Sequence, residues 1–161
     1  MELPAIIDLE ASGFGRGSYP IEVGVALVDG TVHSFLIKPP AHWNHWDTEA
    51  EKIHGISRDL LQAEGHSPRE VAIALNELLR GQTLYSDAWS FDSSWVGRLY
   101  DEAEIVQRFR MDTINKLLNE PQMMGWDAMK KQVIADLGMD MHRAANDVTV
   151  LQETFKRITA K

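Results

Sequence analysis

No cysteine occurs among the 161 residues, which excludes disulfides, thiol catalysis and thiolate zinc sites together. Positive charge is scarce: 16 Lys and Arg face 24 Asp and Glu, a net charge of −8. Such a chain is not held on nucleic acid or an anionic membrane by bulk cationic charge. Bound metal ions would add positive charge that no residue count includes, so nucleic acid stays open as a substrate. Long apolar runs are missing too. The longest, such as residues 25–28, fall far short of the ~18 needed to cross a bilayer. The opening MELPAIIDLE reaches a charge too early for a signal peptide. Repeats, low-complexity tracts and linkers are absent. What remains is 44% hydrophobic and 25% charged, close to the globular average. The expectation is one soluble, cytoplasmic domain over residues 1–161 with a single sizeable core.

The first third has the pattern of strands. Residues 5–9 and 21–28 are apolar and β-branched, and Asp29-Gly30 gives a strong hairpin signal before a third strand over 31–38. A Trp- and His-rich loop (AHWNHW, 41–46) leads to a helical stretch near 48–53. Ser67-Pro68-Arg69-Glu70 is a capping box with Pro at the first helical position, opening a helix that runs through Leu79. A short strand is expected over 82–86, helices over 90–100 and 112–118 around a strand near 107–111, and helices over 126–137 and 144–159. This order predicts an α/β fold: a mixed sheet of about five strands flanked by α-helices.

Three places carry chemistry. In Asp8-Leu9-Glu10, residues two apart on a strand face one side, so both carboxylates point together. That is expensive beside a buried apolar strand unless a cation sits between them; a strand running out into solvent is the alternative. Phe91-Asp92 follows the fourth strand, where open α/β sheets place their ligands. Asp92 is a metal ligand or an acid favoured by a helix N-terminus, and Asp87 is a helix cap or a weaker ligand candidate. In His142-Arg143-Ala144-Ala145-Asn146-Asp147, His and Asp five apart diverge by ~140° within one helix. They meet only if His142 lies in the loop and Asp147 in the helix's first turn.

Taken in order, Asp-x-Glu, Phe-Asp about 80 residues on and His-x-x-x-x-Asp near the C-terminus resemble the DEDDh exonucleases. That is the DnaQ-like family of 3′–5′ exonucleases, which includes polymerase proofreading subunits, RNase T and oligoribonuclease. Ile21-Glu22-Val23-Gly24 is similar to the family's second strand, and Ile53-His54-Gly55-Ile56-Ser57 to its "hGI" segment. The resemblance spans about residues 5–151. One departure is that the family often has Asn ahead of its Phe-Asp, where Asp87 stands here with one extra residue between. Arg143 fills the place of the tyrosine in the tyrosine branch, so the histidine branch applies.

The resemblance implies a ribonuclease H-like sheet and two divalent ions, Mg²⁺ or Mn²⁺, held by Asp8, Glu10, Asp92 and Asp147. Hard ions of this kind want oxygen ligands, so a cysteine-free chain is no obstacle. It makes His142 the general base for the attacking water, a role that suits an imidazole. The expected substrate is the 3′ end of single-stranded DNA or RNA. Phe14 would stack on terminal bases, as an aromatic at this place does in RNase T-like relatives. Leu9, Ala11, Trp89 and Arg143 complete the implied substrate surface, with Arg16 and Arg143 available to backbone phosphates. Relatives include homodimers and polymerase-bound subunits. A phosphohydrolase acting on a small phosphate compound or short oligonucleotides, an inactive nucleic-acid-binding module and a plain interaction domain are the competing readings.

Overall fold

The structure, a computed structural model, describes residues 3–160. β1 (Ile6–Ala11), β2 (Pro20–Ala26) and β3 (Val32–Leu36) form an antiparallel meander. β4 (Thr83–Ser86) adds parallel to β1, and β5 (Arg110–Thr113) parallel to β4, giving the order β3-β2-β1-β4-β5. Helices α1 (Thr48–His54), α2 (Arg58–Glu64), α3 (Pro68–Leu79), α4 (Trp89–Ala103), α5 (Glu120–Leu137) and α6 (Ala144–Ile158) flank this sheet. The expected mixed five-strand α/β architecture is present. Among the described residues no helix is long and apolar enough to cross a membrane.

Alternation along β1 decides where the site lies. Ile7 and Leu9 face a large core shared with Val71 and Leu75 of α3 and Val96 and Leu99 of α4. Ile6 faces the other way, into a smaller core with Trp126 of α5 and Val148 and Leu151 of α6. Asp8 and Glu10 share the face of Ile6. That face is therefore apolar at the start of β1 and acidic at its end. β2 follows the same rule: Ile21, Val23 and Val25 enter the large core, while Glu22 and Gly24 lie opposite Glu10 and Asp8. Gly24 is required by packing, because a Cβ there would stand 2.6 Å from the Ala144 carbonyl at the start of α6.

Several boundaries differ from the sequence expectation. The segment 112–118 is not a helix; residues 110–113 pair with β4 and only Ile114–Leu117 form a 3-10 turn. Ladder pairing with an already formed strand outweighs weak local helix preference. α5 starts at Glu120, six residues before the expected point, because Asn119 and Gln122 form a reciprocal capping box with Pro in the first turn. α2 was not anticipated; Ser57 caps it by accepting from the Leu60 N–H. The Asp29-Gly30 turn forms as expected, with the Leu27 N–H bonded to the Thr31 carbonyl and Gly30 at φ 89°.

Candidate active site

The acidic end of β1 meets the N-termini of α4 and α6. Single carboxylate oxygens of Asp8, Glu10 and Asp147 come within 4.8 Å of one another. His142 precedes α6 at φ 70°, and its backbone N–H donates to Asp147 Oδ1 at 2.9 Å. His142 thus lies in the loop and Asp147 in the helix's first turn, the arrangement the five-residue spacing demands. Asp92, only 1% exposed, stands beside the trio. The Ser86 hydroxyl donates to its Oδ2 at 2.6 Å and in turn accepts from the Ala88 N–H.

Electrostatically this cluster is unstable as a set of bare carboxylates. Burial, then the charges of Asp92 and Asp147, push the Asp8 carboxyl well above the usual range. Burial, followed by Asp147 and Glu22, lifts Glu10 to about 9. Burial lifts Asp92 to about 7 against the opposing Ser86 hydrogen bond. Asp8 Oδ2 is buried with no hydrogen-bond partner. An orphaned buried acceptor within an all-carboxylate donor set fits a hard divalent cation.

These shifts fix a sign. Groups whose pKa is raised by folding keep protons that the unfolded chain releases, so stability falls as pH rises through the window. Without metal, the melting temperature should drop between about pH 6.5 and 9: Asp92 completes its loss by about 7, and Glu10 continues its own up to about 9. His54, lowered by desolvation, acts oppositely only below its ordinary value near 6.5. Asp29, Asp112 and Asp136, all lowered, have delivered their stabilisation by pH ~5. Millimolar Mg²⁺ should flatten the slope, since cation binding replaces the protons. Differential scanning calorimetry with EDTA and with Mg²⁺ checks this; a metal-free melting temperature that stays level across the window would overturn it.

A cleft of about 290 Å³ opens over the acids, lined also by Leu9, Ala11, Phe14, His54 and His142. Phe14 is 64% exposed. It packs edge-on to Phe91 at 5.3 Å and lies 6.0 Å from Trp95, and these two rings, one helical turn apart on α4, stack at 5.8 Å. His54 Nδ1 accepts from the Ile56 N–H, and its ring meets the edge of Trp46.

Three sequence expectations are corrected. Arg143 does not line the cleft: its guanidinium grips buried Glu22 at 3.0 and 2.8 Å, while Glu22 also accepts from the Ala144 N–H at 2.9 Å. Glu22 therefore caps α6 from β2, in place of any side chain at the helix's own N-cap. Trp89 is also outside the cleft, with its indole N–H directed at the Met111 carbonyl; Trp95 is the tryptophan that lines it. Asp87 is no helix cap, because the N-cap of α4 is Ala88, which makes no side-chain cap bond. Its carboxylate instead takes Lys130 Nζ at 2.9 Å. Lys130 was not anticipated, and only its spacing from Trp126 on a helix that also packs inward could have indicated it.

No protein-family model and no curated protein matches this chain. Solved structures do. E. coli exonuclease I in complex with a dT13 oligonucleotide aligns at a TM-score of 0.75 and 14% identity, over 99% of this chain and 41% of that one. The chain has the fold of exonuclease I. The zinc-bound form of the E. coli exonuclease I–ssDNA complex gives 0.72 and 14%, over 97% and 40%. A moderately thermophilic exonuclease I from Methylocaldum szegediense gives 0.59 and 15%, over 82% and 31%. The chain thus spans about two fifths of the E. coli structures' length. The ribonuclease H-like sheet implied by the motif order is the fold observed.

Proposed function

We propose that this chain is a metal-dependent 3′–5′ exonuclease releasing nucleoside monophosphates from single-stranded DNA or RNA. The observation that carries the reading is the convergence of Asp8, Glu10 and Asp147 around the orphaned Asp8 oxygen, beside His142 in one cleft. Asp8, Glu10, Asp147 and Asp92 would hold two Mg²⁺ or Mn²⁺ ions. When bound, such ions neutralise the phosphoryl charge, acidify the attacking water and stabilise the leaving 3′ oxygen. His142 takes the proton from that water. Phe14, Phe91 and Trp95 form the ledge on which unpaired bases stack, an interaction of ~1–3 kcal/mol per base without sequence preference. Leu9 and Ala11 give the adjoining floor. That solved neighbours hold single-stranded oligonucleotides supports the substrate class.

The test uses one oligonucleotide labelled at its 5′ end, offered single-stranded, in a blunt duplex, or with its 3′ end blocked by phosphate. Stepwise shortening from the free 3′ end with Mg²⁺, slower on the duplex and abolished by EDTA, is expected. A ladder on the blocked strand, or cleavage of a circular single strand, would show an endonuclease. Binding without any shortening would make the protein a binding module.

A further inference from the structure

The cleft collects five acids, yet among the described residues one Lys or Arg lines it, Lys130 of α5. Its ammonium donates to Asp87 Oδ2 at 2.9 Å, with both side chains less than a third exposed. Burial works against the charge, but Asp87, and beyond it Asp8 and Asp147, hold the group protonated. Arg143 does not line the cleft, and two of its donors hold Glu22.

An ammonium carries three donors, and Asp87 occupies one. A free lysine loses much rotamer freedom on binding an anion; here the bridge from the end of β4 to α5 has already fixed the stem. Lys130 is anchored by the one acid of the cleft that stands outside the Asp8, Glu10, Asp147 and Asp92 cluster. A cation needed only to offset the cluster would lie among those carboxylates. One held at the wall, lining the cleft with donors that Asp87 does not use, is placed for an incoming anion.

We infer that Lys130, pinned by Asp87, binds the phosphate of the nucleotide being released, so that the cleft recognises a nucleoside 5′-monophosphate. This rests on the reading of the cleft as a metal-dependent exonuclease site.

Calorimetric titration of the whole chain in saturating Mg²⁺ with deoxyadenosine 5′-monophosphate and with deoxyadenosine tests it. The wild type should prefer the monophosphate. In Lys130→Met, which keeps an unbranched apolar stem, that preference should fall by about 10- to 100-fold, the effect of losing a charge-assisted hydrogen bond. Deoxyadenosine affinity should not change. Lys130→Arg should keep most of the preference, and Asp87→Asn should lose part of it; these two variants decide the matter if Lys130→Met does not fold. A Lys130→Met protein that binds Mg²⁺ more tightly but keeps the full preference would show a cation that only tempers the acids, and would overturn the inference. The two readings fail separately. A wild type that shortens oligonucleotides while Lys130→Met keeps the preference defeats this inference alone. A wild type that neither shortens them nor binds the monophosphate defeats both.

Discussion

Asp8→Asn should reduce turnover by about 10³-fold or more and, in EDTA, raise the melting temperature. The two effects have one cause. Asp8 Oδ2 is buried without a partner, and Asp92 and Asp147 add their charges to the cost of burial. Removing the charge while keeping the shape relieves repulsion and desolvation, on the order of 1–3 kcal/mol for an unsatisfied buried group. For a domain of this size that is several degrees. The same change takes a ligand from the cation, whose contribution of several kcal/mol to the transition state corresponds to the expected loss. A residue serving only the fold would show the reverse pattern, with melting temperature and activity falling together. Thermal melts in EDTA beside single-turnover rates separate the cases, and an Asp8→Asn protein that is destabilised yet active would end the metal-site assignment.

The parts legible in the sequence are those set by short-range rules. Period-two alternation placed Asp8 and Glu10 on one side of β1, and the impossibility of His142 and Asp147 sharing a helix face put a helix start between them. The family resemblance then implied the topology that brings these segments together. Illegible parts depend on pairings across the chain. Arg143 lies next to His142 and so suggested a phosphate contact, but Glu22, 121 residues away in sequence, claims it. The Asp87–Lys130 bridge joins the end of β4 to the middle of α5, and no local pattern on either segment announces the other. Likewise, Trp89 stands three residues from Asp92, yet its indole reaches for Met111 beside β4, whereas Phe91 and Trp95, which share a face at i and i+4, line the cleft. At the middle motif, the family resemblance already favoured Asp92 over Asp87. Asp92 is the one buried beside the trio.

Replacing His142 should lower kcat by ~10²–10⁴, the range for loss of a general base, with Mg²⁺ affinity nearly unchanged. The link between His142 and the acids runs through its backbone: the N–H donates to Asp147 Oδ1, and the imidazole is free to line the cleft. A side-chain truncation leaves that hydrogen bond in place, so Asp147 keeps its orientation. The residue stands at φ 70°, where an L-residue costs ~1–2 kcal/mol and glycine does not. His142→Gly is therefore the cleaner variant, removing the ring without adding strain, and His142→Ala should be somewhat less stable than His142→Gly. If the ring's task is to accept the water's proton, added imidazole should restore part of the turnover in the glycine variant. Isothermal titration with Mg²⁺ and steady-state rates give the comparison. A His142→Gly enzyme with a normal rate would remove the base from the mechanism, and one with its Mg²⁺ affinity collapsed would make His142 a support for Asp147 instead.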